Sequence, residues 1–291
     1  MNNSKPELTW ENLRGYLLWL ALPLIAGILI AALIPQPVVG LISLNTSIYA
    51  SSAKDLIAQV DYARTHPEVR AVVLILDSPG GTVTDTEAVY LEIIKLRKSK
   101  PVVASIESMA ASGAYYLTAG TDYAFAKPTS EVGNIGVIGY LPPVPTIFEG
   151  IISTGPYKLW GTPRDTYVRQ IEMIKQGFYG AVKTGRGTRL KAGPEVVLSG
   201  QIWPGSEALQ LGLIDELGAQ SDAVDKAATL GKVLNYKIVD LATLALPPPP
   251  ATPPAPTYEF FASSSTGVKL PYPKEPGIYM LYIPPMSAEQ K

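Results

Sequence analysis

The sequence has 291 residues, of which 47% are apolar and only 17% charged, with 24 Lys and Arg against 25 Asp and Glu. This composition excludes disorder over most of the chain, and a net charge of -1 argues against a nucleic-acid partner. Without cysteine, and with His66 as the single histidine, the chain cannot form disulfides or thiolate zinc sites. We therefore expect neither a metal nor another cofactor.

A long uncharged stretch lies near the N-terminus. No charged residue occurs between Arg14 and Lys54, and residues 15–35 are apolar enough to cross about 30 Å of hydrocarbon as a helix. Because this stretch lacks a clean cleavage site, we favour a membrane anchor over a removed signal peptide. Lys5 and Arg14 precede it and no basic residue follows at 36–53, which predicts a cytoplasmic segment 1–14 and a main domain outside the cytoplasm.

From about Pro37 to Leu241, short β-branched runs alternate with longer amphipathic stretches, which predicts an α/β fold of repeated βαβ units around a parallel sheet. The predicted strands are Val38–Leu44, Ala71–Leu76, Val102–Ile106, Tyr123–Ala126, Val132–Ile138 and Tyr236–Val239. The predicted helices are Ser52–Thr65, Asp85–Lys98, Met109–Gly120, Asp165–Thr184, Ser206–Leu211 and Ser221–Leu230.

The composition changes at Pro247. Residues 247–291 hold 12 of the 27 prolines, a bias that favours an extended tether over packed structure. Within this region, Gly277–Pro284 is an apolar, strand-like segment too short to fold alone, so we expect it to dock on this chain or on a neighbouring copy. The predicted main domain therefore covers residues 36–246, followed by the tether and C-terminal segment.

A glycine-rich loop, Leu76–Thr82, follows a continuous apolar strand. Consecutive glycines at a strand end allow backbone N–H groups to face a crevice, where they could bind an anion or an oxyanion. The alternative is an ordinary tight turn formed by Pro79 and Gly80.

A second loop, Glu107–Thr118, also follows a strand and places Ser112 among small residues before a helix. Ser112 could be a nucleophile, or it could cap or pack the helix. If the two loops lie at the carboxyl ends of adjacent strands, the first interpretation gains weight, because α/β sheets bind ligands at that edge. Asp77 and Glu107 are expected to have structural roles at the strand ends.

A serine nucleophile needs a base. His66 precedes both loops and is interpreted as a surface residue at a helix end, which argues against a Ser-His-Asp triad. Lys158 is the alternative, since its neighbours are apolar and no acid lies between Glu149 and Asp165. Lowering its pKa from about 10.4 to near 7 costs about 4.6 kcal/mol, which burial can supply. A lysine at a strand edge is an equally good interpretation of position 158.

Two further features receive structural interpretations. The basic stretch at 183–191 follows a predicted helix and lacks a GK[ST] motif, so we interpret it as a solvated loop rather than a phosphate site. Four tyrosines near the two loops are interpreted as packing residues, namely Tyr115, Tyr116, Tyr123 and Tyr157.

Four motifs in this order resemble the short-form signal peptide peptidases, which are membrane-bound Ser-Lys proteases of peptidase family S49. They are SPGG at 78–81, SMAASGAYY at 108–116, the lysine at 158, and GSEALQLGLIDELG at 205–218. The resemblance implies a ClpP/crotonase-like fold with Ser112 as nucleophile and Lys158 as general base and acid. It also implies oxyanion donors at Gly81 and at Gly113 or Ser112, and a ring-shaped homo-oligomer in which adjacent subunits can share an active site.

Two positions depart from the family pattern. Ala114 replaces a second glycine after the serine. Asn134, in VGNIGV at 132–137, stands where the family generally has a serine or threonine that holds the lysine amine. The amide oxygen of Asn134 can accept a hydrogen bond from that amine, although an asparagine here can instead form a turn.

The sequence therefore predicts a single-pass membrane serine endopeptidase acting on signal peptides or other unfolded peptides near the membrane. The nearest alternative is a protease of the same fold that cleaves stomatin-like partners. A catalytically inactive oligomeric scaffold is a second alternative, motivated by Asn134. Acyl-CoA chemistry on a crotonase-like fold is a third, which the predicted membrane helix disfavours.

Overall fold

A computed structural model describes residues 10–33, 35–140, 152–155, 157–158, 161–248, 261–263, 269–273 and 277–281. The described α-helices are α1 (Trp10–Leu33), α2 (Ala50–Thr65), α3 (Val83–Arg97), α4 (Gly113–Ala119), α5 (Arg164–Arg186), α6 (Pro194–Val197), α7 (Gly205–Leu211), α8 (Gln220–Leu230) and α9 (Ala242–Ala245). The described strands are β1 (Val38–Leu44), β2 (Val69–Ser78), β3 (Gly80–Thr82), β4 (Val102–Ala111), β5 (Tyr123–Ala126), β6 (Glu131–Gly133), β7 (Ile138–Tyr140), β8 (Ile202–Pro204), β9 (Glu216–Leu217), β10 (Lys237–Asp240), β11 (Phe261–Ser263), β12 (Lys269–Pro273) and β13 (Gly277–Leu281).

The main sheet has the strand order β10-β1-β2-β4-β5-β9, and all of these neighbours are parallel. Helices α2 and α3 pack on one face through side chains such as Val60 and Ile93, and α8 covers part of the other through Val224. Burial on both faces explains why β1, β2 and β4 are nearly continuous apolar runs. The α/β class predicted from the sequence is confirmed.

The end of β4 differs from the prediction. The strand continues to Ala111, and the helix predicted over Met109–Gly120 begins only at Gly113. Met109, Ala110 and Ala111 pair with β6, so a partner strand distant in sequence keeps these residues extended. The predicted strand Val132–Ile138 is also wrong as a single element. It divides into β6 and β7 because Asn134 has a φ of 51°, which ends the ladder.

A second, small sheet contains β3, β13 and β7 in that order. Its central strand is part of the apolar segment 277–284, and it pairs antiparallel with β3 on one side and β7 on the other. Residues 277–281 of this segment therefore dock on their own chain, the first of the two alternatives left open by the sequence. Most of the proline-rich tether, residues 249–260, lies outside the described residues.

The N-terminal helix α1 exposes large apolar side chains, including Trp19 at 83% and Leu20 at 73%. Among the described residues, however, we find no helix that meets the length and apolarity needed to cross a membrane. The predicted transmembrane helix at 15–35 is therefore not supported, and neither is the single-pass topology that depended on it. Residues 1–9 of the predicted cytoplasmic segment lie outside the described part of the chain.

Candidate active site

Ser112 occupies the sharp junction between β4 and α4. Its backbone has φ 54° and ψ -117°, a conformation that costs an L-residue on the order of 1–3 kcal/mol. Two hydrogen bonds hold it there, because the Ser112 N–H donates to the Gly133 carbonyl at 2.8 Å and its carbonyl accepts from the Tyr116 N–H at 2.9 Å. The Ser112 side chain makes no capping hydrogen bond to α4. This strained strand-to-helix turn is typical of a nucleophilic serine.

The glycine loop is a short strand rather than an ordinary turn. The Ile48 N–H donates to the Gly80 carbonyl at 2.8 Å, and the Thr82 N–H donates to the Ile48 carbonyl at 2.9 Å. A Cβ atom on Gly81 would lie 1.8 Å from the Ile48 carbonyl oxygen, so only glycine fits there without a shift. Because backbone polar groups alternate along a strand, the Gly81 N–H points away from Ile48.

The two loops meet at the carboxyl ends of adjacent strands, which is the condition under which Ser112 gains weight as a nucleophile. β2 and β4 are parallel neighbours, with Ser78 in register with Ala110. A Cβ atom on Gly80 would lie 2.6 Å from the Gly113 nitrogen, and one on Gly113 would lie 3.2 Å from the Gly81 nitrogen. The backbones of Gly81 and Gly113 are therefore side by side next to Ser112. Backbone N–H groups so placed are suited to stabilising an oxyanion.

Lys158 lies in a turn, where its N–H is 3.4 Å from the Gly155 carbonyl oxygen. The residue is exposed, so the described part of a single chain does not supply the dry surroundings that a neutral lysine requires. Its neighbour Tyr157 is also 45% exposed, which makes the packing role predicted for that tyrosine wrong in the single chain. Residues 156, 159 and 160 lie outside the described residues.

Asn134 has a turn-forming role. Its φ of 51° is tolerated better by asparagine than by most residues, and its N–H donates to the Gln201 carbonyl at 2.8 Å. The side-chain nitrogen Nδ2 donates to the Gly200 carbonyl at 2.7 Å. Because Nδ2 already donates to a backbone carbonyl, a hydrogen bond from a lysine amine to this side chain would be accepted by its amide oxygen, Oδ1.

A buried ion pair lies close to the hydrogen bond that holds α4 against the turn at residues 213–215. The Tyr115 hydroxyl donates to the Leu213 carbonyl at 2.8 Å, close to Asp215, which accepts two 2.8 Å hydrogen bonds from Arg186. The Arg186 and Asp215 side chains are only 3% and 5% exposed, and burial raises the pKa of the Tyr115 phenol. Arg189 adds a third hydrogen bond to Asp215. The interpretation of residues 183–191 as a solvated loop is therefore wrong for Arg186 and Arg189, which the distant Asp215 draws inward. Lys183 and Lys191 are exposed, as that interpretation expects.

The tyrosines and acids near the loops have mainly structural contacts. Tyr115 and Tyr116 are buried, as predicted for packing residues, while Tyr123 is partly exposed and donates to Glu216 at 3.0 Å. Asp77 accepts from the Ser108 hydroxyl at 3.1 Å, and Glu107 pairs with Lys127.

His66 ends α2, and its ring stacks on Tyr62 with 3.7 Å between centroids, which fits the predicted position at a helix end. Within the part of the chain that the structure describes, no three His, Cys, Asp or Glu side chains form a group able to hold a metal ion.

A parallel sheet with a strained serine beside a glycine strand defines an α/β domain of the Clp-protease type, and the family model of Clp protease matches residues 38–132. The model of peptidase family S49 matches residues 94–234. A provisionally named protease of Synechocystis sp. is 32% identical over 194 residues, which cover 62% of this chain and 69% of that protein. The chain belongs to peptidase family S49, as its motif order predicted.

Two other relatives extend the comparison. Protease 4 of Salmonella typhi is 31% identical over 195 residues, which cover 62% of this chain and 31% of that protein. A provisionally named signal peptide peptidase of Enterococcus faecium is 27% identical over 205 residues, covering 63% of this chain and 59% of the relative. The chain thus spans about a third of the length of the Salmonella typhi protein.

Proposed function

We propose that this chain is a serine endopeptidase in which Ser112 is the nucleophile and Lys158 carries the proton. The observation that carries the proposal is the strained Ser112 backbone beside the paired backbones of Gly81 and Gly113. Strain of this kind persists only where the surrounding structure enforces it, and it is concentrated at functional sites. Membership of peptidase family S49 supports the same chemistry.

In the proposed reaction the Ser112 hydroxyl attacks the peptide carbonyl carbon while the neutral Lys158 amine accepts its proton. The Gly81 and Gly113 N–H groups donate to the resulting oxyanion. Lys158 then protonates the leaving amine, and the C–N bond breaks to give an acyl-enzyme. Water attacks the ester, Lys158 takes one of its protons, and that proton returns to Ser112 as the acid product leaves.

The exposure of Lys158 supports a shared active site. A lysine acts as a base only through a neutral amine, which requires desolvated surroundings, and Lys158 is open to water in the single chain. We propose that an adjacent subunit of a homo-oligomer supplies this cover and brings Lys158 of one chain to Ser112 of another.

The proposed substrates are unfolded peptides, with signal peptides as the leading class. The name of the Enterococcus faecium relative supports this substrate. Segments of this kind can present their backbone to Ser112 in extended form, whereas a folded protein cannot.

We also propose that α1 attaches the protein to a membrane through its exposed apolar side chains. Leu20 and Leu24 are 73% and 65% exposed, which is costly in water. Replacing both with lysine should move the protein from the membrane pellet to the supernatant after cell fractionation. Leu244→Lys, which changes an exposed leucine on α9, should leave the distribution unchanged. Recovery of the unaltered protein in the supernatant would contradict the attachment.

A fluorophosphonate probe tests the nucleophile. The unaltered protein and Ser108→Ala should be labelled, whereas Ser112→Ala should not, and mass spectrometry locates the label. Ser108 is a suitable control because it lies on β4 shortly before Ser112, is exposed, and donates a hydrogen bond to Asp77. Labelling that persists in Ser112→Ala would exclude Ser112 as the nucleophile. Failure of all three proteins to react or to hydrolyse peptides would favour the inactive scaffold.

A further inference from the structure

An open cavity of about 480 Å³ lies at the amino-terminal ends of the strands of the main sheet, opposite the end that carries Ser112. Three segments form its walls, and the lining residues are Pro35, Pro37, Pro67, Glu68, Arg70, Lys232, Val233, Leu234 and Asn235. Arg70 is near the first residue of β2 and Ser78 is its last, so at about 3.3 Å per residue the strand separates them by about 26 Å. The cavity is therefore separate from the candidate active site.

The cavity lies close to the end of α1. Leu33 ends α1 and Val38 begins β1, so the chain between their Cα atoms spans at most about 18 Å. Pro35 and Pro37 belong to this connection and line the cavity, and each restricts its own backbone. A membrane that holds α1 is therefore within reach of the cavity rim.

The rim of the cavity carries an excess of positive charge. Arg70 and Lys232 are both exposed there. Glu68 is the acid among the lining residues, and its charge acts on the nearby Lys100, which offsets it. A guanidinium and an ammonium group at one rim suit a phosphate, because the first offers paired donors and the second a compact charge.

Lys232 has an unfavourable backbone conformation. It follows Gly231, the residue that caps α8, and its φ is 55°. Glycine is the usual residue at this position after a helix, because the left-handed conformation brings the Cβ of an L-residue too close to its own backbone. The Val233 N–H closes the helix end by donating to the Ala228 carbonyl at 3.0 Å. A cation is thus held at the rim against local preference, and such outliers are concentrated at functional sites.

Leu234 lies beside this lysine and is fully exposed, at 102%. A leucine side chain in water is unfavourable because none of its apolar surface is buried. Apolar side chains that project next to cations are typical of surfaces that bind at the boundary between lipid headgroups and acyl chains. The charged and the apolar part of the rim therefore indicate the same kind of partner.

We propose that this rim binds the headgroup phosphate of an anionic phospholipid in the membrane to which α1 attaches. Arg70 and Lys232 pair with the phosphate, and Leu234 enters the boundary with the acyl chains. The proposal rests on the attachment through α1 proposed above and not on the peptidase chemistry. Two membrane contacts fix the orientation of the domain, with Ser112 at the end of the sheet that is far from the lipid.

Sedimentation of the full chain with lipid vesicles tests the proposal. The vesicles contain either phosphatidylcholine alone or an equal mixture of phosphatidylcholine and phosphatidylglycerol. Replacing Arg70 and Lys232 together with glutamine should weaken binding to the mixed vesicles on the order of 30-fold, about fivefold for each cation. Binding to phosphatidylcholine alone should stay the same, because this lipid has no net charge.

A matched variant controls for the change in net charge. Lys127 follows the carboxyl end of β5, and Lys175 lies on α5, whose Phe178 contacts α4. Replacing both lysines with glutamine removes the same charge away from the cavity and should leave vesicle binding close to that of the unaltered protein. An equal loss of affinity in this variant would overturn the proposal, since net charge rather than the rim would then attract the lipid.

Lys232→Gly separates a binding role from a structural one. Glycine relieves the left-handed conformation, so the midpoint of thermal unfolding should rise by about 2–4 °C while binding to the mixed vesicles falls about fivefold. Lys232→Arg keeps the charge and should bind the mixed vesicles as the unaltered protein does. Unchanged lipid binding in Lys232→Gly would overturn the role assigned to this lysine.

Calorimetric titration with inorganic phosphate distinguishes a lipid from a soluble anion. Without vesicles, the unaltered protein should show no saturable binding of phosphate. Saturable binding that is lost on replacing Arg70 and Lys232 would identify a soluble-anion site and overturn the assignment to a lipid.

The vesicle experiment also separates this proposal from the attachment through α1. If the unaltered protein and the variant lacking both cations bind the mixed vesicles equally, the rim is not a headgroup site and the attachment stands. If the protein ignores phosphatidylcholine but binds the mixed vesicles through Arg70 and Lys232, the rim binds lipid and the attachment through α1 is refuted.

Discussion

Ser112 and Gly81 illustrate how much of the site depends on single backbone conformations. The sequence places a serine and a pair of glycines at two strand ends, but it does not specify that Ser112 adopts a φ of 54°. That value is enforced by the hydrogen bond from the Ser112 N–H to the carbonyl of Gly133, which belongs to a different strand. The sequence could therefore indicate which serine is the candidate nucleophile. The strained backbone of that serine depends on the pairing of β4 with β6, which the sequence does not reveal.

Gly81→Ala tests the glycine strand. The added methyl group would meet the Ile48 carbonyl oxygen at 1.8 Å, so the strand has to move and its N–H leaves the oxyanion position. We expect kcat/KM for a peptide substrate to fall by about 100-fold or more, which is typical of the loss of one oxyanion donor. Activity close to that of the unaltered protein would show that Gly81 is not a donor.

Gly177→Ala is the matched control for this substitution. Gly177 lies in α5, and no atom lies within 4 Å of the position that its added methyl group would take, so the same change meets no obstacle. Because alanine is the better helix former, thermal unfolding should show a gain of roughly 0.5–1 kcal/mol with unchanged activity.

At the scale of elements, α4 is held by contacts on two sides. Its Tyr116 ring meets Tyr90 of α3 at 4.6 Å and Phe178 of α5 at 4.9 Å between centroids. On the other side of α4, the Tyr115 hydroxyl donates a hydrogen bond to the Leu213 carbonyl, and the nearby Asp215 forms an ion pair with the buried Arg186. Removing Arg186 would leave a buried carboxylate with reduced compensation, which is why this pair matters more than an exposed one.

The raised pKa of the Tyr116 phenol predicts a loss of folding stability in alkaline solution. Burial, with a smaller effect from Glu87, raises the pKa of Tyr116 to about 12, against about 10 in the unfolded chain. The folded state thus binds this proton more tightly, so its stabilising effect is complete below about pH 10 and is lost as the pH rises through about 12.

Urea unfolding at about pH 9 and about pH 11.5 measures this effect. Over this interval Tyr116→Phe, which keeps the ring but cannot ionise, should lose about 2 kcal/mol less stability than the unaltered protein. Tyr157→Phe is the control, because that side chain is 45% exposed. Equal losses in Tyr116→Phe and the unaltered protein would show that the phenol ionises without cost.

For the whole molecule, the main question is where Lys158 finds its partner serine. The residue is exposed in the single chain, and the proposal that it acts across a subunit boundary has a direct test. Ser112→Ala and Lys158→Ala should each be inactive, but mixed oligomers should regain about a quarter of the activity if neighbours share the site. The fraction follows from random pairing of one intact serine with one intact lysine.

Separate oligomers of the two variants, measured without subunit exchange, are the control for this mixing experiment. Both should remain inactive, and size-exclusion chromatography should show that each still assembles. If mixing restores no activity although the subunits exchange, the serine and lysine act within one chain.

The sequence by itself determined the α/β class, most helices and the two candidate loops, because hydrophobic periodicity and glycine placement act over short distances along the chain. The tertiary structure decided the division of the strand at Asn134, the burial of Arg186 and the docking of β13 between β3 and β7. Each of these three features depends on contact with residues far away in sequence. Local propensity and composition do not indicate which residues those are.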